Sequence, residues 1–250
     1  MLPVQNIYQQ LLTTLQSNPI TLLQAPPGAG KSTWLPLQLM RDGHFKRIVM
    51  LEPRRLAARN IANYLAQCQN EKVGQSVGLR VRGESKVGSN TRLEIVTEGM
   101  LTRMLQNDPE LSDIDLLIFD EFHERSIAAD TSLAFALETQ SALRDDLTIL
   151  LMSATLDTER YTQFFDCPVI QSSGRSYPID EVYIPIKDES RWLDAIPNIV
   201  KQALNEQTGS ALVFLPGQRE ILRVKQALND LADDCEVFTL FGEQSKGEQQ

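Results

Sequence analysis

The sequence predicts an α/β protein built on a mostly parallel, doubly wound sheet. Short β-rich runs alternate with segments of helical period, and several runs are apolar throughout, as strands covered on both faces require. TLLQA (21–25), RIVMLE (47–52), RLEIVT (92–97), LLIF (116–119) and TILLMSA (148–154) are the expected strands. LAARNIANYLAQC (56–68) and MLTRMLQ (100–106) are helices between them. Alternation of this kind closes through right-handed crossovers.

Composition bounds what such a fold can do. The chain has 250 residues, 42% hydrophobic and 23% charged, an ordinary balance for a soluble globular protein. No apolar run approaches the roughly 18 to 20 residues of a membrane span, and the N-terminus has no signal-peptide pattern. Cys68, Cys167 and Cys235 are far apart and in no metal-ligand spacing, which excludes a zinc reading and fits a reducing cytoplasm. The net charge of -9 excludes a general electrostatic grip on nucleic acid. Any such binding must come from local basic loops.

The first strand runs into QAPPGAGKSTW (24–34). A Gly-rich loop between a buried strand and a helix opened by Lys-Ser forms a nest of N–H groups for phosphate oxygens. Ala25, Pro26, Pro27, Gly28, Ala29, Gly30, Lys31, Ser32 and Thr33 make up this loop. Gly28 and Gly30 allow positive φ and close approach of a ligand. Lys31 can reach the β and γ phosphates, and the Ser32 hydroxyl can ligate Mg²⁺. Ala25 stands where the strict pattern has Gly, a small departure that the position accepts if its φ is negative. The competing reading is a dinucleotide site, with Gly28-Ala29-Gly30 beginning the fingerprint and Glu52 as the ribose acid. Thr33 at the third glycine position and Lys31 at the helix start weigh against it.

The fourth strand delivers two adjacent carboxylates, Asp120 and Glu121, in LLIFDEFHERS (116–126). Beside a phosphate loop, an Asp at a strand end holds Mg²⁺ and the next acid orients and deprotonates the attacking water. The plainer alternative is helix-capping charge, with Glu121 pairing with Arg125.

After position 180 the character changes. DEVYIPI (180–186), a helix over 192–207, GSALVFLP (209–216), a helix over 219–231 and EVFTLF (236–241) read as the start of a second α/β unit. The expected division is 1–180 and 181–250, with too few strands in the second part for a closed core, so the chain reads as truncated. The tail EQSKGEQQ (243–250) is polar enough for disorder.

Taken together, APPGAGKS, PRRLAAR, TEGML, DEFHER and MSAT stand in the order used by DExH-box helicases of superfamily 2. VGLRVRGE (77–84), RSYPIDEVY (175–183) and LVFLPGQREI (212–221) resemble the DEAH/RHA branch of that family. The resemblance covers nearly the whole chain. It implies a RecA-like P-loop NTPase domain followed by the incomplete start of a second RecA-like domain, powered by Mg²⁺ and ATP, in a helicase chain expected here to bind nucleotide but to lack full turnover. Single-stranded nucleic acid, RNA rather than DNA, is the implied partner; no membrane and no protein partner is implied.

The family pattern also implies roles. Lys31, Ser32, Thr33, Asp120 and Glu121 match the nucleotide and Mg²⁺ contacts, with Ser32 and Asp120 on the metal. His123 matches the link to the second domain. Ser153, Ala154 and Thr155 match the motif that couples hydrolysis to strand movement; the plainer reading is helix capping before Asp157. Arg54, Arg55 and Thr97, Glu98, Gly99 match strand-phosphate loops, and Arg80 and Arg82 lie in a hook-shaped turn beside the strand. Where the family places a base-stacking Arg this chain has Tyr64, whose ring would stack on any base, so other NTPs should be accepted with ATP. The rival readings from other classes are a P-loop nucleotide switch and a nucleic-acid-binding module without turnover.

Overall fold

The computed structural model describes residues 2–155, 158–173, 179–186, 188–229, 231, 235–242, 244 and 247. Asp157, residues 175–178 of the RSYPIDEVY motif and most of the 243–250 tail lie outside them. The chain forms two compact units, Met1–Tyr177 and Pro178–Gln250.

The first unit is an eight-stranded sheet: β1 Ile20–Gln24, β2 Ile48–Leu51, β3 Val77–Val81, β4 Glu84–Lys86, β5 Leu93–Val96, β6 Leu116–Phe119, β7 Thr148–Ser153 and β8 Val169–Gln171. Its order is β4-β3-β5-β2-β6-β7-β1-β8, and all neighbours are parallel except β3 and β4. The five runs read from sequence are β1, β2, β5, β6 and β7, the strands buried on both faces. Every residue of β2, β5 and β6 is buried.

Helices cover both faces, because a parallel sheet leaves no side for water. On one face α1 (Pro3–Ser17), α2 (Trp34–Asp42) and α3 (Arg55–Cys68) bury Leu11, Leu35 and Leu65 against Met50, Ile118 and Met152. On the other, α4 (Glu98–Asn107) and α5 (Ile127–Ala142) bury Leu101, Leu105 and Leu133 against Leu51, Phe119 and Leu151. A further helix, α6 (Thr158–Phe165), packs Tyr161 and Phe165 on that second cluster.

Register positions the site. Leu51 pairs with Phe119, so Glu52 and Asp120 come level just beyond the strand ends. With a period of two, both follow Met50 and Ile118 onto the face covered by α1–α3. The Ala25 N–H donates to the Ser153 carbonyl at 3.0 Å, which extends the β1–β7 ladder to the foot of the loop. Ligands bind beyond the carboxyl ends of such strands.

The second unit holds α7 (Trp192–Glu206) and α8 (Gln218–Ala227), close to the two helices expected. They meet through Val200, Val224 and Leu228. The two or three strands expected there do not form among the described residues. Leu212, Phe214, Phe238 and Leu240 remain exposed, since an extended segment becomes a strand only by pairing its backbone with a neighbour. No described helix is long and apolar enough to cross a membrane.

Candidate active site at the carboxyl edge of the sheet

The loop after β1 has the backbone the sequence implies, with two differences. Gly28 and Gly30 have φ of 73° and 91°. A Cβ on Gly28 would meet nothing within 4 Å, leaving open space for a ligand. A Cβ on Gly30 would fall 2.8 Å from Leu2 Cδ1 and 3.3 Å from Val4 Cγ2. Gly30 therefore makes room for the start of α1 rather than for a phosphate. The Val4 N–H also donates to the Ala29 carbonyl at 3.2 Å, so α1 braces the loop from behind. The second difference is the helix start. α2 begins at Trp34, and Lys31, Ser32 and Thr33 form a turn before it. Thr33, with φ -124° and ψ -70°, is outside the helical region, and the Leu35 N–H reaches back to the Gly30 carbonyl.

Opposite the loop stand the two carboxylates delivered by β6. Asp120 is 1% exposed, and its Oδ1 accepts the Glu121 N–H at 2.9 Å. Its Oδ2 is buried with no hydrogen-bonding partner. Glu121 adopts the left-handed region at φ 49° and ψ 38°, a conformation an L residue enters at a cost of order 1 kcal/mol. That bend turns its side chain onto Lys31, with Nζ 3.0 Å from Oε1. His123 Nδ1 lies 3.5 Å from the other Glu121 oxygen, too far for a good hydrogen bond. Helix capping does not describe this arrangement, because Arg125 pairs with Asp130 and not with Glu121.

Electrostatics sharpen the picture. Burial pushes the Asp120 carboxyl up to about 6; the approaching Ser32 hydroxyl and Lys31 pull it down, and the Glu121 charge adds to the rise. No donor meets Oδ2 in hydrogen-bonding geometry, which leaves a buried oxygen free beside a hydroxyl. Hard oxygen ligands of this kind, completed by water and phosphate, suit Mg²⁺. Glu52, 3% exposed, is pushed by burial up to about 7, with Asp120 adding and the Arg54 N–H it accepts opposing. Sequence reading considered Glu52 only as a ribose acid. Its place beside Asp120 follows from strand register, which no local pattern reveals.

Glu52 carries a measurable consequence. Its raised value means that between pH about 4.5 and about 7 the folded chain holds a proton that the unfolded chain has released. The stability this contributes is complete below 4.5 and is lost as pH rises through about 7. Glu52→Gln removes the buried charge and keeps an acceptor for Arg54. Its melting temperature is expected to exceed that of the unsubstituted protein at pH 8, by about 2 to 4 °C per kcal/mol regained. The gap should close toward pH 4.5, and equal shifts in thermal melts at both pH values count against it.

The basic loops gather at the same edge. Arg54 stands at the N-cap position of α3, and its guanidinium meets Glu124 at 2.8 Å. Arg55 Nη2 donates to the Arg82 carbonyl at 3.0 Å, joining this loop to the β3–β4 hairpin, which is the hook-shaped turn of the sequence reading. Arg80 lies differently from expectation: its guanidinium binds the buried Glu94 carboxylate at 2.6 Å. Thr97 forms the N-cap position of α4, Glu98 its first turn, and Gly99 faces open space. Ser153 Oγ and the Thr155 backbone exchange hydrogen bonds of 2.7 and 3.2 Å, a tight turn around Ala154 at the end of β7. Tyr64 stands 53% exposed on α3, about two and a half turns from the helix start.

The profile of DEAD/DEAH box helicases matches residues 5–164. The ATP-dependent RNA helicase HrpB of Escherichia coli is 51% identical over 99% of this chain, which covers 31% of that protein. The probable ATP-dependent RNA helicase DHR2 of Saccharomyces cerevisiae is 32% identical over 92% of the chain and 32% of its own length. The crystal structure of the Escherichia coli DEAH/RHA helicase HrpB superposes with a TM-score of 0.93 at 50% identity, over 100% of this chain and 32% of that one. The chain thus spans about a third of the length of these relatives. A Gly-rich loop, an acidic strand end and basic loops on one sheet edge agree with that match, and the chain belongs to the DEAD/DEAH box helicase family.

Proposed function

We propose that this chain is the nucleotide-hydrolysing core of an ATP-dependent RNA helicase, acting in the cytoplasm. The observation that carries the reading is the pairing of Lys31 with Glu121 across the carboxyl edge of the sheet. A phosphate arriving in the loop competes for Lys31 and releases Glu121. The freed carboxylate takes a proton from water as its oxygen bonds to the γ-phosphorus and the bridging bond to the β-phosphate breaks. Asp120 and Ser32 would hold Mg²⁺, which supplies charge neutralisation at the β and γ oxygens. His123, beside Glu121, takes the family position that links nucleotide hydrolysis to the second domain, and Tyr64 stacks on the base without reading its edge. ATP, GTP, CTP and UTP should then bind within about tenfold of one another.

In the same reading, residues 1–180 are a first RecA-like domain and 181–250 begin a second. The separation of the two compact units near position 177 supports it. Arg54, Arg55, Arg82 and the 97–99 turn receive the strand, Arg80 orders that edge through Glu94, and the turn at Ser153–Thr155 couples the two sites. Free Cys68, Cys167 and Cys235 support a reducing compartment.

The test is the rate of ATP hydrolysis against added single-stranded RNA and DNA. RNA should stimulate more than DNA, and Arg54→Ala with Arg55→Ala should remove the stimulation while nucleotide affinity stays unchanged. Hydrolysis indifferent to both nucleic acids would favour a nucleotide switch instead. Parallel loss of strand and nucleotide binding in the double variant would indicate misfolding.

A further inference from the structure

Arg54 is already paired in the strand-free chain. Its Nη2 lies 2.8 Å from Glu124 Oε1, with the two side chains 72% and 32% exposed. An ion pair this open to water adds little to stability, so folding does not account for it. The two partners are also held differently. The Arg54 main chain is fixed by its N–H to Glu52 Oε1 at 3.2 Å, while its long side chain extends to Glu124 with 72% exposure. Glu124 ends a short 3-10 turn, Phe122–Glu124, framed by left-handed Glu121 and Arg125. Arg125 is anchored beyond it by Asp130 at 2.8 Å and the Tyr161 hydroxyl at 2.7 Å. The short Glu124 side chain thus stands on a braced turn, and the longer Arg54 side chain reaches across to it.

We propose that Glu124 is a built-in competitor of the strand: its carboxylate occupies Arg54 in place of an RNA phosphate, and RNA engages Arg54 only by displacing it. The inference rests on the reading of Arg54 as a strand-phosphate contact. A carboxylate and a phosphodiester present similar forked oxygens to a guanidinium, so occupation by one blocks the same face to the other. Displacement also leaves the Glu124 charge unpaired beside the buried Glu52 carboxyl. Glu124 is a positioning residue in this scheme; it touches neither nucleotide nor strand.

Fluorescence anisotropy of a labelled single-stranded oligouridine at low salt tests the proposal. Four proteins are compared: the unsubstituted chain, Glu124→Gln, Arg54→Ala and the double variant. Glu124→Gln should bind about two- to fivefold more tightly, the range set by exposed ion pairs. Arg54→Ala should bind more weakly, and Glu124→Gln should add nothing in its presence. A tightening that persists in the Arg54→Ala background would overturn the proposal, because it reports only the loss of a negative charge near the strand. Unchanged affinity for Glu124→Gln in an RNA-binding chain would overturn it alone. Absence of RNA binding by all four proteins would remove the reading of Arg54 and the proposal with it.

Discussion

Glu121→Gln is expected to slow nucleotide hydrolysis by at least about a hundredfold, the size of a lost general base, while tightening nucleotide binding. The two effects have opposite signs because Glu121 has two partners at different stages. Without nucleotide its carboxylate neutralises Lys31 at 3.0 Å, so an arriving phosphate must displace an ion pair. Glutamine keeps the shape and the left-handed backbone but offers Lys31 only a neutral amide. The phosphate then meets an uncompensated ammonium. Equilibrium titration with a fluorescent nucleotide analogue and a steady-state assay on the same protein separate the two effects. A hydrolysis rate near that of the unsubstituted protein would remove Glu121 as the base. Slow hydrolysis with weakened binding would show that Glu121 shapes the loop instead of competing for its cation.

The parts of this site that could be read from sequence share a physical character. LLIF followed by DE is legible because a strand buried on both faces must be apolar throughout and can end only at a sheet edge. QAPPGAGKST is legible because glycines and one lysine are the few residue types that admit a phosphate closely. What escaped depends on contacts distant in sequence. The α1 helix was not foreseen, and neither was its seat on Gly30, where two apolar side chains make the glycine obligatory. The β3–β4 pairing was seen only as a turn, since ESK at the sheet edge is polar throughout and Gly78 and Arg80 interrupt the apolar run of VGLRV beside it. Arg80 reads from sequence as a cation of the turn beside the strand, and only the sheet register reveals the buried Glu94 it pairs with. In the second unit the error ran the other way. LVFLP and EVFTLF have strong local strand character, but propensity alone does not make a strand.

Lys31→Ala is expected to weaken nucleotide binding about ten- to a hundredfold, the scale of a lost charge-assisted hydrogen bond to phosphate. It should also change stability in a way that identifies why the lysine is buried. Lys31 is 5% exposed and stands between Glu121 and the buried Asp120, whose carboxyl it helps to keep ionised. Removing it leaves Glu121, Asp120 and Glu52 around a site with no cation, and their mutual repulsion then opposes folding. The proton affinity of Asp120 and Glu52 in the folded state rises further above that of the unfolded chain, so the penalty is smallest in acid and grows as pH climbs through the 6 to 7 region where these two carboxyls titrate. At pH 8 the loss should reach about 1 to 3 kcal/mol. Adding Glu121→Gln to Lys31→Ala removes one of the unpaired charges and should recover much of that stability, yet recover none of the nucleotide affinity. Denaturant unfolding at pH 5.5 and 8, with nucleotide titrations of the single and double variants, distinguishes the contributions. Unchanged nucleotide affinity in Lys31→Ala would remove the phosphate assignment of the loop, whereas equal destabilisation at both pH values would trace the burial of Lys31 to packing of its aliphatic stem rather than to its charge.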